Sequence, residues 1–539
     1  MAVKINKTSF SRRSSFLAAF LLLFFLGLAA RLFYLEVVHG AQAREQADAQ
    51  HSIYQKLFPS RGEIKLADKL SNDTIPLATN LKSYLVYAVP QDILNPSLTA
   101  ASLAGALGLD QKDVLAKISN TDKKYVPLKK QLTDEEQDKI KALALPGIYF
   151  DSEDTRYYPE NSLLSQTLGF VGYDNSGAKR GLYGLERYFD KDLAGTPGQL
   201  VAEQDTAGAW IFGATRQEQP AEDGVDLILT IDKTIQFQAE SLLQNTVTKH
   251  GADSGSVIVA DPKTGAILAM ANYPTFDPNQ YNKVADPAVF NNEAVTGNYE
   301  PGSVFKALTM AAALDEGKVT PDTTYTDTGS VSVDNFTIRN SDHKAHGVQT
   351  MTQVLDWSLN TGAIFAKDQL GNQDFYKYLV KFGFGQPTGI ELPETKGDLA
   401  GLSGKVEVNY DTASFGQGIL VTPIQMVQAY DALANGGKMM KPYLVQSKIY
   451  PDGRTVNTQP QAVSQVISPQ TDSALTAMLI DVVENGYGKD AGVPGYYVAG
   501  KTGTAQVAQN GKYLENDNIG SFIGYAPADD PKFVMLIRI

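Results

Sequence analysis

Cysteine is absent from all 539 residues. That excludes disulfides, thiolate metal sites and a cysteine nucleophile, and it leaves the redox compartment open. Histidine is scarce, with His39, His51, His250, His343 and His346 the full set. No Gly-x-Ser-x-Gly elbow accompanies them, so a Ser-His-Asp hydrolase finds no support. His343 and His346 lie beside Asp342, but Arg339, Asn340, Lys344 and Gly347 around them read as a polar loop, and no metal is expected there. Positive charge is in deficit: 47 Lys and Arg against 60 Asp and Glu leave a net charge of −13, which argues against a nucleic-acid partner. Long apolar runs are absent too, with a single exception at the N-terminus.

That exception runs from Phe16 to Ala30 and, past Arg31, through Leu32 to Val38. Read as one helix it exceeds the roughly 20 residues needed to cross a bilayer. Lys4, Lys7, Arg12 and Arg13 precede it, so residues 1–15 are expected on the cytoplasmic side and everything after the span outside. Ala41-Gln42-Ala43 offers a signal-peptidase-like site, but the run is long for a cleaved signal, and residues 16–38 are read as an uncleaved anchor. The expected address is a plasma membrane crossed once.

The rest is too long for one core and calls for two or more domains. Its 43% hydrophobic and 20% charged content is that of an ordinary globular chain. Ala41 to Gln55 is polar and could extend the first helix. A mixed module is expected over residues 50–215, with a strand at Tyr84–Val89 and a helix at Asp134–Ala144. Asp151, Glu153, Asp154 and Glu160 around Arg156 read as a solvated surface. Gln217–Gly224 reads as a linker. A second body over residues 225–539 opens with a strand at Asp226–Ile231 and a helix from Lys233 to about Lys249, capped by Asp232. A hairpin follows, Ser256–Ala260 and Ala266–Met270 around Asp261-Pro262-Lys263-Thr264-Gly265. The middle is expected to be largely helical, Lys306–Leu314 and Met351–Leu370 being the clearest helices. Strands return at Tyr496–Ala499, Ser521–Tyr525 and Phe533–Ile539. Two strands, a helical insert and three strands make an α/β body around a five-stranded, mainly antiparallel sheet.

Three short segments carry the chemistry: Ser303-Val304-Phe305-Lys306, Ser358-Leu359-Asn360 and Lys501-Thr502-Gly503-Thr504. Pro301-Gly302 followed by an apolar run puts Ser303 at a helix start, where unpaired N–H groups favour a developing alkoxide. Lys306 lies one turn on, on the same face. A serine hydroxyl needs a base, and a lysine in a dry pocket with another cation nearby can be that base. Leu359 between two polar residues suits a turn that aims Ser358 and Asn360 into a cleft. Gly503 at the end of an apolar strand admits close approach of backbone or substrate, and such an edge strand can pair with an extended peptide. Each segment alone reads as an ordinary capped helix, polar face or strand end.

In this order, roughly 50 and roughly 140 residues apart, the three segments match the acyl-transfer motifs of penicillin-binding proteins and β-lactamases. Leu229-Thr230-Ile231-Asp232, Glu300-Pro301-Gly302-Ser303, Phe415-Gly416-Gln417-Gly418, Thr422-Pro423-Ile424-Gln425 and Ser521-Phe522-Ile523-Gly524 extend the match, and Gly181-Leu182-Tyr183-Gly184-Leu185-Glu186-Arg187 resembles the end of an N-terminal pedestal. The chain resembles the class B penicillin-binding proteins, and Thr324–Gly329 with Ser358–Ala363 lean toward the septal, cell-division type. The resemblance implies a membrane-anchored pedestal of the dimerisation type and a penicillin-binding domain acting as a serine D,D-transpeptidase without cofactor or metal. Ser303 would be the nucleophile, Lys306 its base and Ser358 the relay to the leaving amine. Asn360 would hold a substrate amide, Lys501 and Thr502 a substrate carboxylate, and the N–H groups of Ser303 and Thr504 the oxyanion. Partners implied are peptidoglycan stem peptides, β-lactams as covalent inhibitors, and other membrane proteins of wall synthesis or division.

A D,D-carboxypeptidase, a β-lactamase-type hydrolase and a β-lactam-binding sensor or division scaffold are the competing readings. Two departures stand out. Lys65-Leu66-Ala67-Asp68 replaces the family's Asp-Arg-Asn-Gly. The resemblance also implies a further helix beyond Ile539, so the last domain is expected to be truncated, or to leave Phe533, Val534, Met535, Leu536 and Ile537 exposed.

Overall fold

The computed structural model describes residues 7–38, 52–67, 73–123, 125–203, 217–404, 406–509 and 512–539. They form two compact units, one of Met1–Pro59 with Thr196–Glu222, the other of Ser60–Gly195 with Asp223–Ile539. In the first unit a helix spans Lys7–Phe33 and continues as a π-turn over Tyr34–Val38. Ser15–Val37 is long and apolar enough to cross a membrane and is exposed along its length, which fits a membrane anchor. The same unit holds a three-stranded antiparallel sheet of Ser52–Leu57, Gly198–Glu203 and Gln217–Gln219. The expected helical extension to Gln55 is therefore wrong from Ser52 on, and its earlier part lies outside the described residues. Part of the expected linker is likewise a strand.

The second unit contains a sheet that runs through most of its length. Thr455–Asn457, Val445–Ile449, Asp226–Leu229, Ile64–Ala67, Thr74–Ala88 and Val126–Leu132 follow in that order, and Ile148–Tyr157 pairs with Thr74–Ala88 as well. Asp226–Leu229 pairs with Ile64–Ala67 in parallel and with Val445–Ile449 antiparallel. Helices Pro96–Leu107, Gln111–Ile118 and Asp134–Ala142 close a small core of their own, built on Val86, Leu103, Val114, Leu132 and Ile140. Thr133 and Glu136 start the last of these with a capping box.

Asp151 and Asp154 are exposed, as the reading of a solvated surface has it, but Arg156 beside them is not. Its side chain is buried, its Nε donates to Glu186 at 2.6 Å, and Arg61 reaches the same fully buried carboxylate at 2.7 Å. Tyr158 donates to it as well, at 3.3 Å. Burial would raise the Glu186 pKa, but the charges of Arg156 and Arg61 outweigh it and hold the carboxyl below its ordinary value.

The C-terminal sheet has five antiparallel strands: β1 (Gly255–Ala260), β2 (Ile267–Tyr273), β3 (Ala499–Gln509), β4 (Lys512–Ala526) and β5 (Phe533–Arg538), in the spatial order β2-β1-β5-β4-β3. Helix α1 (Lys233–His250) covers one face, its N-terminus capped by the Asp232 side chain, which accepts from the N–H groups of Thr234 and Ile235. Leu243 and Val247 meet Val257, Val259, Ala269 and Ala271 there. The other face joins the large core, to which α2 (Lys306–Asp315), α3 (Met351–Asp356), α4 (Asn360–Leu370), α5 (Pro423–Leu433) and α6 (Pro469–Glu484) contribute. The β5 side chains alternate: Val534 and Leu536 are buried in the large core, while Phe533, Met535 and Ile537 are half-buried on the α1 side. Exposure of this run, the second of the two alternatives, is thus largely avoided.

The expected Met351–Leu370 helix is two helices. The chain breaks at Trp357–Leu359, where Ser358 has a φ of +54°. The helical middle also carries two hairpins, Thr324–Asp327 with Gly347–Thr350 and Ser330–Val333 with Phe336–Arg339.

Candidate active site

Ser303 lies in a 3-10 turn, Gly302–Phe305, that leads directly into α2. Two glycines make the turn possible. Gly302 has φ +64° and its N–H donates to the Gly416 carbonyl at 2.9 Å, while a Cβ on Gly416 would come within 2.3 Å of the Gly302 carbonyl. The Phe415–Gly418 segment therefore braces the serine turn from beneath, and Glu300 accepts from the Gly418 N–H at 3.0 Å. Tyr430 of α5 pins the next residue by donating to the Val304 carbonyl at 2.6 Å.

Lys306 is 1% exposed. Its Nζ donates to Ser358 Oγ at 3.1 Å and also to the Ser358 carbonyl. The left-handed backbone at Ser358 turns both oxygens toward the lysine, a conformation that costs a non-glycine residue energy and clusters at functional sites. Asn360 opens α4, half-buried, and its Nδ2 donates to the Arg339 carbonyl at 2.8 Å. It is thereby held by the Phe336–Arg339 hairpin.

The third segment sits on β3, the edge of its sheet, with Lys501 opposite Ile523 and Gly503 opposite Ser521 on β4. Lys501 is fully buried and its Nζ donates to the Thr502 carbonyl at 3.1 Å. A Cβ on Gly503 would lie 2.6 Å from Ser521 Oγ, 2.9 Å from Val304 Cγ1 and 3.2 Å from Val304 N. A Cβ on Gly302 would lie 2.8 Å from the Thr504 carbonyl. The edge strand thus presses backbone against the serine turn, and only glycine fits the contact. Thr502 is half-buried and Thr504 exposed.

With this geometry in place, the family model described as the penicillin binding protein transpeptidase domain matches residues 255–539, and that of the penicillin-binding protein dimerisation domain matches residues 56–229. The chain belongs to the class B penicillin-binding proteins. It is 39% identical over 545 residues to the stage V sporulation protein D of Bacillus subtilis, covering 100% of this chain and 83% of that one. It is 33% identical over 555 residues to the penicillin-binding protein PbpB of Mycobacterium tuberculosis, covering 97% and 80%. Among solved structures, penicillin-binding protein 2X of Streptococcus thermophilus superposes with a TM-score of 0.75 at 25% identity, covering 90% of this chain and 77% of that one. Penicillin-binding protein 3 of Mycobacterium tuberculosis complexed with aztreonam gives 0.67 at 29% identity, covering 90% of each.

In this class B chain the electrostatics of the cleft are set by two buried lysines. Burial first, and the charge of Lys501 second, push the Lys306 pKa well below the ordinary lysine value. Burial pulls Lys501 down to about 7 even though Asp356 opposes it. A lysine so placed is ready to hold no charge and to accept a proton. Asp356, at the end of α3, was not singled out from the sequence. It is 3% exposed and its Oδ1 lacks a hydrogen-bond partner among the described residues. Burial, then the charge of Asp481 and a hydrogen bond to it, push Asp356 up to about 7, with Lys501 opposing. An aspartate in a helical segment reads as polar-face decoration; the signal that could have found it is its spacing of two residues from Ser358.

The other candidates lie elsewhere. His346 bonds Asp342 at 2.9 Å beside His343, while His39 and His51 lie outside the described residues. Asp368, Glu407 and Asp411 come together as a metal site might, but the Lys367 ammonium already fills their centre, at 2.6, 2.7 and 2.5 Å.

Proposed function

We propose that this protein is a peptidoglycan D,D-transpeptidase that cross-links stem peptides through an acyl-enzyme on Ser303. The observation that carries the reading is the buried Lys306 amine, 3.1 Å from Ser358 Oγ and one turn from Ser303. Lys306 takes the Ser303 proton as the oxygen attacks the penultimate D-Ala carbonyl. The N–H groups of Ser303 and Thr504 bind the oxyanion, which supplies a large share of the rate. Ser358 passes the proton on to the leaving D-Ala nitrogen. Lys501 and Thr502 receive the terminal carboxylate and Asn360 the donor amide. An amine of a second stem peptide then takes the acyl group. β-Lactams acylate Ser303 as mimics of the donor.

Several supports come from the relatives. Among them are proteins named as probable peptidoglycan D,D-transpeptidases and as an FtsI homologue, and the mycobacterial structures were solved with aztreonam and ampicillin. These names favour a division-type role in wall synthesis, with other membrane proteins of that machinery as partners. The domain plan is a cytoplasmic tail at 1–15, an anchor at 16–38, a pedestal at 50–215 and the catalytic domain from 225. The basic residues before the helix support an N-terminus in the cytoplasm of a bacterial plasma membrane, with the catalytic body outside.

The test is covalent labelling with a fluorescent penicillin, wild type beside Ser303→Ala. Labelling that vanishes in the variant supports the reading. Absence of labelling in folded wild type leaves the scaffold reading instead, and hydrolysis that outruns transfer to an amine leaves the carboxypeptidase.

A further inference from the structure

Next to Ser358 the chain presents a large aromatic side chain to solvent. Trp357 is 36% exposed, and Tyr487, 52% exposed, meets it edge to face with centroids 5.7 Å apart. The pair is built in by backbone. The Tyr487 N–H donates to the Asp356 carbonyl at 3.0 Å, and Gly486 packs so tightly that a Cβ there would lie 2.8 Å from Asp356 Cα. The loop after α6 is thus fixed against the end of α3, and two rings that water would otherwise disfavour are held at the surface, one of them on the residue joined to Ser358.

We propose that Trp357 and Tyr487 form the contact for the acceptor, the stem peptide whose amine takes the acyl group. The inference rests on the transpeptidase reading above. Ser358 serves the departing D-Ala nitrogen. The incoming amine replaces that nitrogen and must arrive at the same oxygen, because transfer is the reverse of amine departure with a different amine. Trp357 is the residue joined to that relay. An amine-bearing side chain has an aliphatic stem and a cationic tip, and aromatic faces attract both. In the step itself the acceptor, having given the extra proton of its cationic tip to solvent, attacks as the neutral amine: its nitrogen bonds to the acyl carbon and the bond from that carbon to Ser303 Oγ breaks. One amine proton passes through Ser358 to Lys306 and ends on Ser303 Oγ. Water needs no such contact, so the pair acts on the choice between transfer and hydrolysis.

The experiment uses the full chain in detergent, a thioester donor, and stem tripeptides bearing lysine or diaminopimelate as acceptors. Two quantities are read: the rate of Ser303 acylation by penicillin, and the ratio of amide product to hydrolysed donor. Trp357→Ala and Tyr487→Ser are each expected to lower the ratio roughly 3- to 10-fold, the size of a lost aromatic contact, with acylation changed less than about 2-fold and Trp357→Phe close to wild type. A ratio unchanged in both variants overturns the proposal. So does a fall in acylation that matches the fall in transfer, which would make the pair part of the donor site. Wild type that penicillin does not acylate at all removes the transpeptidase reading itself, and this inference with it.

Discussion

Lys367 and the cleft lysines are buried alike and behave in opposite ways. Lys306 is 1% exposed, Lys367 and Lys501 0%. Burial works against all three ammonium groups. Around Lys367 the carboxylates of Asp368, Asp411 and Glu407 outweigh it and hold the pKa above the ordinary lysine value. Around the site lysines nothing comparable is in place among the described residues. Lys306 has a serine and another lysine, and Lys501 has the carboxylate of Asp356, which is itself pushed toward neutrality. The difference teaches that burial alone does not make a lysine catalytic. The missing counter-charge does, and a buried, unpaired cation is a strained arrangement kept for its chemistry.

Exchanging lysine for methionine at each place gives opposite phenotypes. Lys306→Met is expected to slow penicillin acylation by on the order of 10²–10⁴-fold, the worth of a general base, while thermal unfolding shows a melting temperature equal to wild type or higher. Lys367→Met is expected to do the reverse. Chemical denaturation should show a loss of about 3 kcal/mol, the lower end for breaking a buried pair because two partners reach solvent, with acylation intact in the folded fraction. A stability loss at Lys306 as large as that at Lys367 would erase the distinction.

A smaller effect sharpens it. Acylation should fall at low pH as Lys306 takes a proton, and fall again as pH rises through about 7, where Lys501 loses the charge that receives the substrate carboxylate. Asp356→Asn removes the negative charge that favours the Lys501 ammonium. Its pKa then drops, and the alkaline limb of the rate profile should move to lower pH; movement to higher pH would reverse the assigned role. The smallest effect concerns the mirror case, a buried carboxylate without partners. Asp431 in α5 is fully buried, neither oxygen is hydrogen-bonded among the described residues, and burial followed by the charge of Asp261 raises its pKa well above the ordinary range. A raised folded-state pKa means stability is lost as pH climbs above the unfolded value. Asp431→Asn should therefore stabilise by about 1 kcal/mol or more near neutral pH and by progressively less toward pH 4, as read from melting temperatures across that range.

Local signals in the sequence translate well. The Asp232 cap, the β1-β2 hairpin around Asp261–Gly265, and α2 emerging from Ser303 are each written within a dozen residues, and the three motif segments do touch one another, Lys306 on Ser358 and Gly503 against Val304. What escaped reading is non-local or two-sided. Arg156 and Glu186 lie 30 positions apart in segments whose charge density reads as surface. Residues 351–370 carry no glycine or proline at the break, so although the turn read at Ser358–Asn360 falls there, its left-handed φ at Ser358 is not announced; tertiary bonds from Lys306 hold it. Lys367 sits on a helix next to Asp368 and reads as a surface pair until Glu407 and Asp411 arrive from 40 and more residues away.

The parallel pairing of Ile64–Ala67 with Asp226–Leu229 has a mechanical consequence. Leu227 is bonded on one side to the strand of Ile64 and on the other to that of Lys448. A displacement of the strands that begin this unit reaches residues 445–449 as shear along rows of backbone hydrogen bonds, which resist together, and not as rotation about a flexible joint. Within this unit the N-terminal strands work as a splint, joined by backbone hydrogen bonds to the body that holds the serine.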